Sequence, residues 1–237
     1  MLSRFLFYTF SVIFFACSSN SSTSVELKNV GNAKTELKDY QGAVKEYDAA
    51  IDLNPKDPKL FNNRGAAKTE LKDYSGAIKD FTQAIELDPS NAKNYSNRGL
   101  VQASIKNFKA ALDDYTKAIA LSSKDSKYYH SRGSIYNDLK DYSNAIKDYN
   151  IAIELNPEEA LYYGSRGLAK AQLREFITAI KDFDRAIELN QNYALAYTNR
   201  GLSKLMSSDK TGGCEDLKKA VELGSTSALK VIEEQCK

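Results

Sequence analysis

Side chains equipped for covalent, acid–base or metal chemistry are scarce in this chain. There is one histidine, His130, and there are three cysteines, Cys17, Cys214 and Cys236. A lone histidine leaves a nucleophile–base triad, a histidine metal site and a histidine general base short of parts. No paired-cysteine motif, phosphate-cradling loop or dinucleotide glycine cluster occurs. His130 therefore reads as a groove-facing or surface residue, and the chain reads as non-catalytic, with no cofactor or metal. The side chains that recur are those that bind. Arginine precedes a glycine at Arg64, Arg98, Arg132, Arg166 and Arg200. An acid follows each glycine by fifteen residues, at Glu46, Asp80, Asp114, Asp148, Asp182 and Asp216. A planar guanidinium fork suits a carboxylate, so the spacing predicts Arg–Asp pairing repeated between two elements.

The elements that would position these groups follow from one period. Gly31, Gly65, Gly99, Gly133, Gly167 and Gly201 lie 34 residues apart. Nine residues after the first five of these comes an aromatic: Tyr40, Tyr74, Phe108, Tyr142 and Phe176. Alanine always stands at the nineteenth place after the glycine (Ala50, Ala84, Ala118, Ala152, Ala186, Ala220) and leucine at the twenty-second. Apolar residues such as Ala77, Ile78, Phe81, Ala84 and Ile85 fall at helical intervals. Glycine and alanine sit where two helices approach closely, aromatics fill the space beside them, and Pro55, Pro89 and Pro157 stop the second helix. Each unit is a helix–turn–helix hairpin that cannot bury its apolar face alone, whereas a stack of hairpins can.

With these small and aromatic positions in register six times, the chain resembles the tetratricopeptide repeat family over 24–227. The repeats are 24–57, 58–91, 92–125, 126–159, 160–193 and 194–227. The resemblance implies an all-α, right-handed superhelical solenoid whose first helices line a concave groove that binds a peptide segment or another protein. The last copy departs from the pattern: Ser207 to Gly213 reads as a polar, glycine-rich turn. Residues 226–237 read as a capping helix with Ala228, Leu229, Val231 and Ile232 on its apolar face.

On the first helices the inward candidates change character along the chain. Lys28, Asn32, Lys59, Asn62, Asn63, Lys93, Asn97, Lys127, His130 and Asn137 make one end polar and basic. Leu161, Leu168, Leu195, Leu202, Leu205 and Met206, with Ser165 and Thr198 between, make the other apolar. Asparagine can pair with any peptide backbone, lysine attracts carboxylates, and an apolar shelf holds a hydrophobic side chain. Some family members grip the C-terminal carboxylates of chaperone tails with two lysines, two asparagines and an arginine. Lys28, Asn32, Asn63 and Lys93 match that pattern, while Asn97 stands where the arginine would be. A carboxylate-clamp adaptor resembling a co-chaperone is thus one alternative to a general scaffold. A self-associating array is another.

The first residues read as an address. Arg4 precedes an apolar run over 5–16 of twelve residues, shorter than the ~20 that span a bilayer. A short basic start, a short apolar core and a small residue at its end describe a signal peptide over 1–16. Ala16–Cys17 followed by serines resembles a bacterial lipoprotein cleavage site. It implies acyl chains, palmitate among them, on Cys17 and a flexible linker over 17–24. The protein would be exported and lipid-anchored in the bacterial cell envelope, at the periplasmic face or outer membrane; the alternatives are a simply cleaved signal, giving a secreted or periplasmic protein, and an uncleaved anchor with an incidental Cys17.

Export would place Cys214 and Cys236 in an oxidising compartment. Two helices folded about a turn near 224–226 bring residue 214 beside about residue 235, so a Cys214–Cys236 bond is expected. Two separate thiols, with Cys214 as a core residue, are the alternative. The chain has 237 residues, is 42% hydrophobic and carries a net charge of +2. Acidic and basic residues alternate along the helices, without the basic stripe of a nucleic-acid binder.

Overall fold

The computed structural model describes residues 23–236. Thirteen α-helices and no strand are found among them. They fall into two compact units divided between Leu121 and Ser122. The first holds α1 (23–36), α2 (Tyr40–Leu53), α3 (Pro58–Glu70), α4 (Tyr74–Leu87), α5 (Ala92–Ser104) and α6 (Phe108–Leu121). The second holds α7 (Ser126–Asp138), α8 (Tyr142–Leu155), α9 (Ala160–Gln172), α10 (Phe176–Leu189), α11 (Ala194–Met206), α12 (Lys210–Glu222) and α13 (Thr226–Gln235). Odd and even helices pair as hairpins, and α13 packs on α12. The expected capping helix over 226–237 is α13. No helix among the described residues is long and apolar enough to cross a membrane.

Many of the helix starts are fixed by side chains that take up orphan N–H groups. Asp57, Asn91 and Asp125 accept from the backbone N–H of Lys59, Lys93 and Lys127 at 2.9, 3.1 and 3.0 Å. Asp39, Asp73 and Asp209 do the same for Gly42, Gly76 and Gly212 at the second helices. Each tight turn inside a hairpin needs one residue at positive φ. Lysine fills it four times (Lys38, Lys72, Lys106, Lys140, φ 61–62°), then Arg174 and Ser208.

The periodic glycines stand where the hairpin closes. A methyl group on Gly65 would come within 2.9 Å of the Phe81 ring, so only glycine lets α3 lie this close to α4. Ala43, Ala50, Ala77, Ala84, Ala111 and Ala118 have no exposed surface, and Tyr47 and Phe81 fill the spaces between them.

Two expectations are corrected. Of the linker expected over 17–24, residues 23 and 24 belong to α1, and Ser24 is buried with its hydroxyl donating to the Ala50 carbonyl at 2.9 Å. The glycine-rich turn expected over 207–213 is only 207–209, because Thr211, Gly212 and Gly213 lie in the first turn of α12. Asp209 caps that helix, and Gly213 is small because a methyl group there would meet the Gly201 carbonyl at 2.9 Å. The expected signal segment over 1–16 and Cys17 lie outside the described residues.

Candidate functional site

The repeated arginines make the pairs their spacing predicts. Arg64 forks onto Asp80 at 2.9 and 2.6 Å, and Arg98 onto Asp114 at 3.0 and 2.7 Å. Arg132–Asp148, Arg166–Asp182 and Arg200–Asp216 repeat the geometry. The aspartates are buried, and the remaining nitrogen of Arg64 reaches back to Asp48 on α2 at 2.7 Å. The first hairpin has Val30 in that place and pairs Lys34 with Glu46 at 2.6 Å instead. These ions are consumed in holding hairpins together.

In the N-terminal unit, the faces of α1, α3 and α5 form a cleft of about 400 Å³. Lys28, Asn32, Asn63 and Lys93 all line it, joined by Pro58, Lys59, Asn62, Asn91 and Asn94. Lys28 lies 3.5 Å from Asp57, whereas the amines of Lys59 and Lys93 make no ion pair among the described residues. An asparagine network shapes the wall. Asn32 Oδ1 accepts from the Tyr47 hydroxyl at 2.8 Å and from Asn63 Nδ2 at 2.9 Å. Asn62 Nδ2 donates to Asn94 Oδ1 at 2.8 Å, and Asn94 in turn donates to the Ala84 carbonyl at 3.2 Å. Asn32 Nδ2 and Asn63 Oδ1 keep no hydrogen-bond partner among the described residues, leaving one donor and one acceptor for a peptide backbone.

Other expected site residues lie elsewhere. Asn97 is off the cleft wall: it donates to Asn62 Oδ1 at 3.4 Å and lines a notch of about 100 Å³ with Ala66, Phe81, Leu100 and Val101. Lys127 stands exposed on α7 in the C-terminal unit. His130 belongs to an aromatic cluster instead of an open groove wall. Its ring stacks on Tyr162 with centroids 4.9 Å apart, sits 5.5 Å from Tyr149, and its Nε2 lies 3.0 Å from the Ser165 hydroxyl. Burial lowers its pKa to about 4 against the opposing pull of Glu159, so it is a neutral packing residue near pH 7. The same burial pushes the Tyr149 hydroxyl up to about 12.

In the C-terminal unit, Leu168 lines an apolar pocket of about 100 Å³ with Leu161, Leu195, Phe183 and Tyr193. Leu202 and Met206 are exposed outside it on α11. Cys214 and Cys236 are joined by a disulfide with Cα atoms 5.7 Å apart, which ties α13 to α12.

Three contributors escaped sequence reasoning. Asn94 occupies the repeat place that holds the core residues Leu60 and Tyr162, so a polar residue at a core register was the available signal. Asn91 is a helix cap as well as a wall residue. Tyr47 reads as core from its spacing, and only its hydroxyl's direction shows that it orients Asn32.

Family models described as TPR repeat and tetratricopeptide repeat match residues 31–71, 58–91 and 126–159, and a further tetratricopeptide repeat model matches 92–125 and 160–193. A stretch of 47 residues is 47% identical to the Protein STIP1 homolog of Dictyostelium discoideum, covering 20% of this chain and only 8% of that protein. Among solved structures, MamA is 25% identical, with 73% of this chain and 94% of that one covered at a TM-score of 0.65. YrrB, described as a TPR protein with an unusual peptide-binding site, is 22% identical over 79% of this chain and 97% of its own, also at 0.65. PilF of Pseudomonas aeruginosa is 14% identical over 91% and 99%, with a TM-score of 0.78. The hairpins, the glycine–aromatic closures and the matched residues 31–193 together make this chain a member of the tetratricopeptide repeat family.

Proposed function

We propose that this protein is a non-catalytic scaffold, held at a membrane surface through Cys17, that grips the carboxylate end of a partner protein in its N-terminal cleft. The observation that carries this reading is the cleft lined by Lys28, Lys59 and Lys93 beside Asn32 and Asn63. Two unpaired amines supply attraction for carboxylates, and the free amide groups supply sequence-tolerant bonds to a peptide backbone. The peptide-binding site of YrrB supports a binding role for this fold. The packing of His130 among tyrosines supports the absence of catalysis.

Calorimetric titration with an acidic hexapeptide, as free acid and as C-terminal amide, tests the cleft. The free acid binds more tightly, and Lys59→Ala with Lys93→Ala weakens it at least tenfold. Equal binding of acid and amide sinks the clamp. Labelling with a palmitate analogue tests the anchor: Cys17→Ser abolishes the label and moves the chain from the membrane fraction to the soluble one. If the wild-type chain takes up no label, the anchor reading fails.

A second reading, self-association through the C-terminal unit, is favoured by Leu195 and Met206, 53% and 63% exposed on one helix. Sedimentation across concentrations tests it, and a concentration-independent monomer rules it out.

A further inference from the structure

The groove of the N-terminal unit continues beyond the lysine cleft, and its charge reverses on the way. Asn32 and Asn63 are shared between that cleft and a second cavity of about 290 Å³ that adds Thr35, Glu36, Tyr47 and Ala66. Ala66 is shared in turn with the notch lined by Thr69, Glu70 and Leu100. No lysine or arginine lines either extension.

The two ends differ in sign, and each keeps two charged side chains without an ion-pair partner among the described residues. Lys59 and Lys93 stand in the first turns of α3 and α5. Glu36 is the last residue of α1 and Glu70 the last of α3. None of these four side chains takes an ion-pair partner among the described residues, whereas Lys28, Lys34 and Lys68 beside them are paired with Asp57, Glu46 and Asp80. The first helices run in the same direction. Their N-terminal ends therefore favour an anion at the lysine end and their C-terminal ends a cation at the glutamate end. Side chains and helix dipoles point the same way.

Resting on the carboxylate-clamp reading above, we propose that this groove reads a peptide of fixed polarity. The peptide's carboxylate terminus lies among Lys28, Lys59 and Lys93, and a lysine or arginine upstream of it lies at Glu36 and Glu70. Spacing follows from the helix. Lys59 and Glu70 are eleven residues apart on α3, about 16 Å along its axis at about 1.5 Å per residue. An extended peptide covers that distance in about five residues. The occupant is therefore a chain end with acidic last residues and a basic residue about five positions before the final one. A small apolar side chain between the two meets Ala66 and Leu100.

The test uses the full chain and three labelled hexapeptides read by fluorescence anisotropy at low salt. They are Lys-Ala-Val-Ala-Glu-Asp with a free C-terminus, the same peptide with its lysine changed to glutamate, and the C-terminal amide of the first. The lysine peptide binds about five- to tenfold tighter than the glutamate peptide, and the difference shrinks as salt screens the exposed charges. In the Glu36→Lys/Glu70→Lys variant the preference reverses. If acid is preferred to amide while lysine and glutamate peptides bind alike, the polarity proposal fails and the clamp stands. If acid and amide bind alike, or no peptide binds, the clamp fails and the proposal falls with it.

Discussion

The hydroxyl of Tyr47 donates to Oδ1 of Asn32, a residue of the cleft wall, at 2.8 Å and so restrains its amide. A buried aromatic of the hairpin core thus sets the donor–acceptor pattern that a ligand meets. Tyr47→Phe removes the restraint while keeping the ring that packs on Gly31. We expect peptide affinity to fall about three- to fivefold, with a stability loss of about 1 kcal/mol, the net worth of one hydrogen bond. Titration calorimetry paired with urea denaturation separates the two effects.

Arg98→Ala would leave the carboxylate of Asp114, only 5% exposed, without the guanidinium that neutralises it. A stability loss of about 3 kcal/mol is expected, because an unpaired buried charge costs more than the pair contributed. The double variant Arg98→Met/Asp114→Leu recovers most of it. Urea midpoints followed by circular dichroism check both, and a double variant as unstable as the single one contradicts the account.

The turn lysines hold a backbone conformation that costs a side-chain-bearing residue about 1 kcal/mol or more. Lys72, at φ 62°, lies between α3 and α4 with its side chain exposed. Lys72→Gly should raise stability by about 0.5–1 kcal/mol, and Lys72→Val should lower it, since β-branching resists positive φ. A midpoint shift of opposite sign for glycine overturns this.

His130 gives a pH dependence of defined sign. Its folded pKa, about 4, lies below the ordinary value of 6.5, so the unfolded chain binds the proton first as pH falls. Stability therefore drops from about pH 6.5 toward pH 4, by about 1 kcal/mol at pH 5.5. His130→Gln removes that part of the slope and leaves the carboxylate part below pH 5. Denaturation midpoints of both proteins between pH 7 and 5 decide it, and parallel curves refute it.

Reduction should loosen one end of the C-terminal unit and little else. The Cys214–Cys236 bond closes a loop of 22 residues, worth about 3 kcal/mol in the chain-entropy account. The tied helix α13 buries only Ala228 among its own residues. Hydrogen exchange with a dithiol present should accelerate in α13 and stay unchanged in α8.

The period of glycine, aromatic and alanine made every hairpin legible in the sequence, because each position has one packing reason. The Arg–Asp pairs were legible for the same reason, their partners being fixed by the repeat. The site was legible only in part. Lys28, Asn32, Asn63 and Lys93 share a face through their places in the repeat, but Asn97 sits one step too far along and bonds Asn62 instead. His130 could not be placed from spacing, since its burial depends on Tyr149 and Tyr162 from other helices. Glu36 and Glu70 look like ordinary surface acids until the cavities join them to the lysine cleft.

Arg64 reaches back to Asp48 and Arg200 to Asp184, while Arg98 and Arg166 reach back to Thr82 and Asn150, so neighbouring hairpins within each unit meet through one arginine and a polar acceptor at a fixed repeat place. Within each unit these joints face the same way along the chain, so a 34-residue block copied in or cut out between two of them leaves the flanking hairpins with matching partners. The array can thus grow or shrink by whole modules under selection, while each module's groove residues drift independently of the coupling that holds it in line.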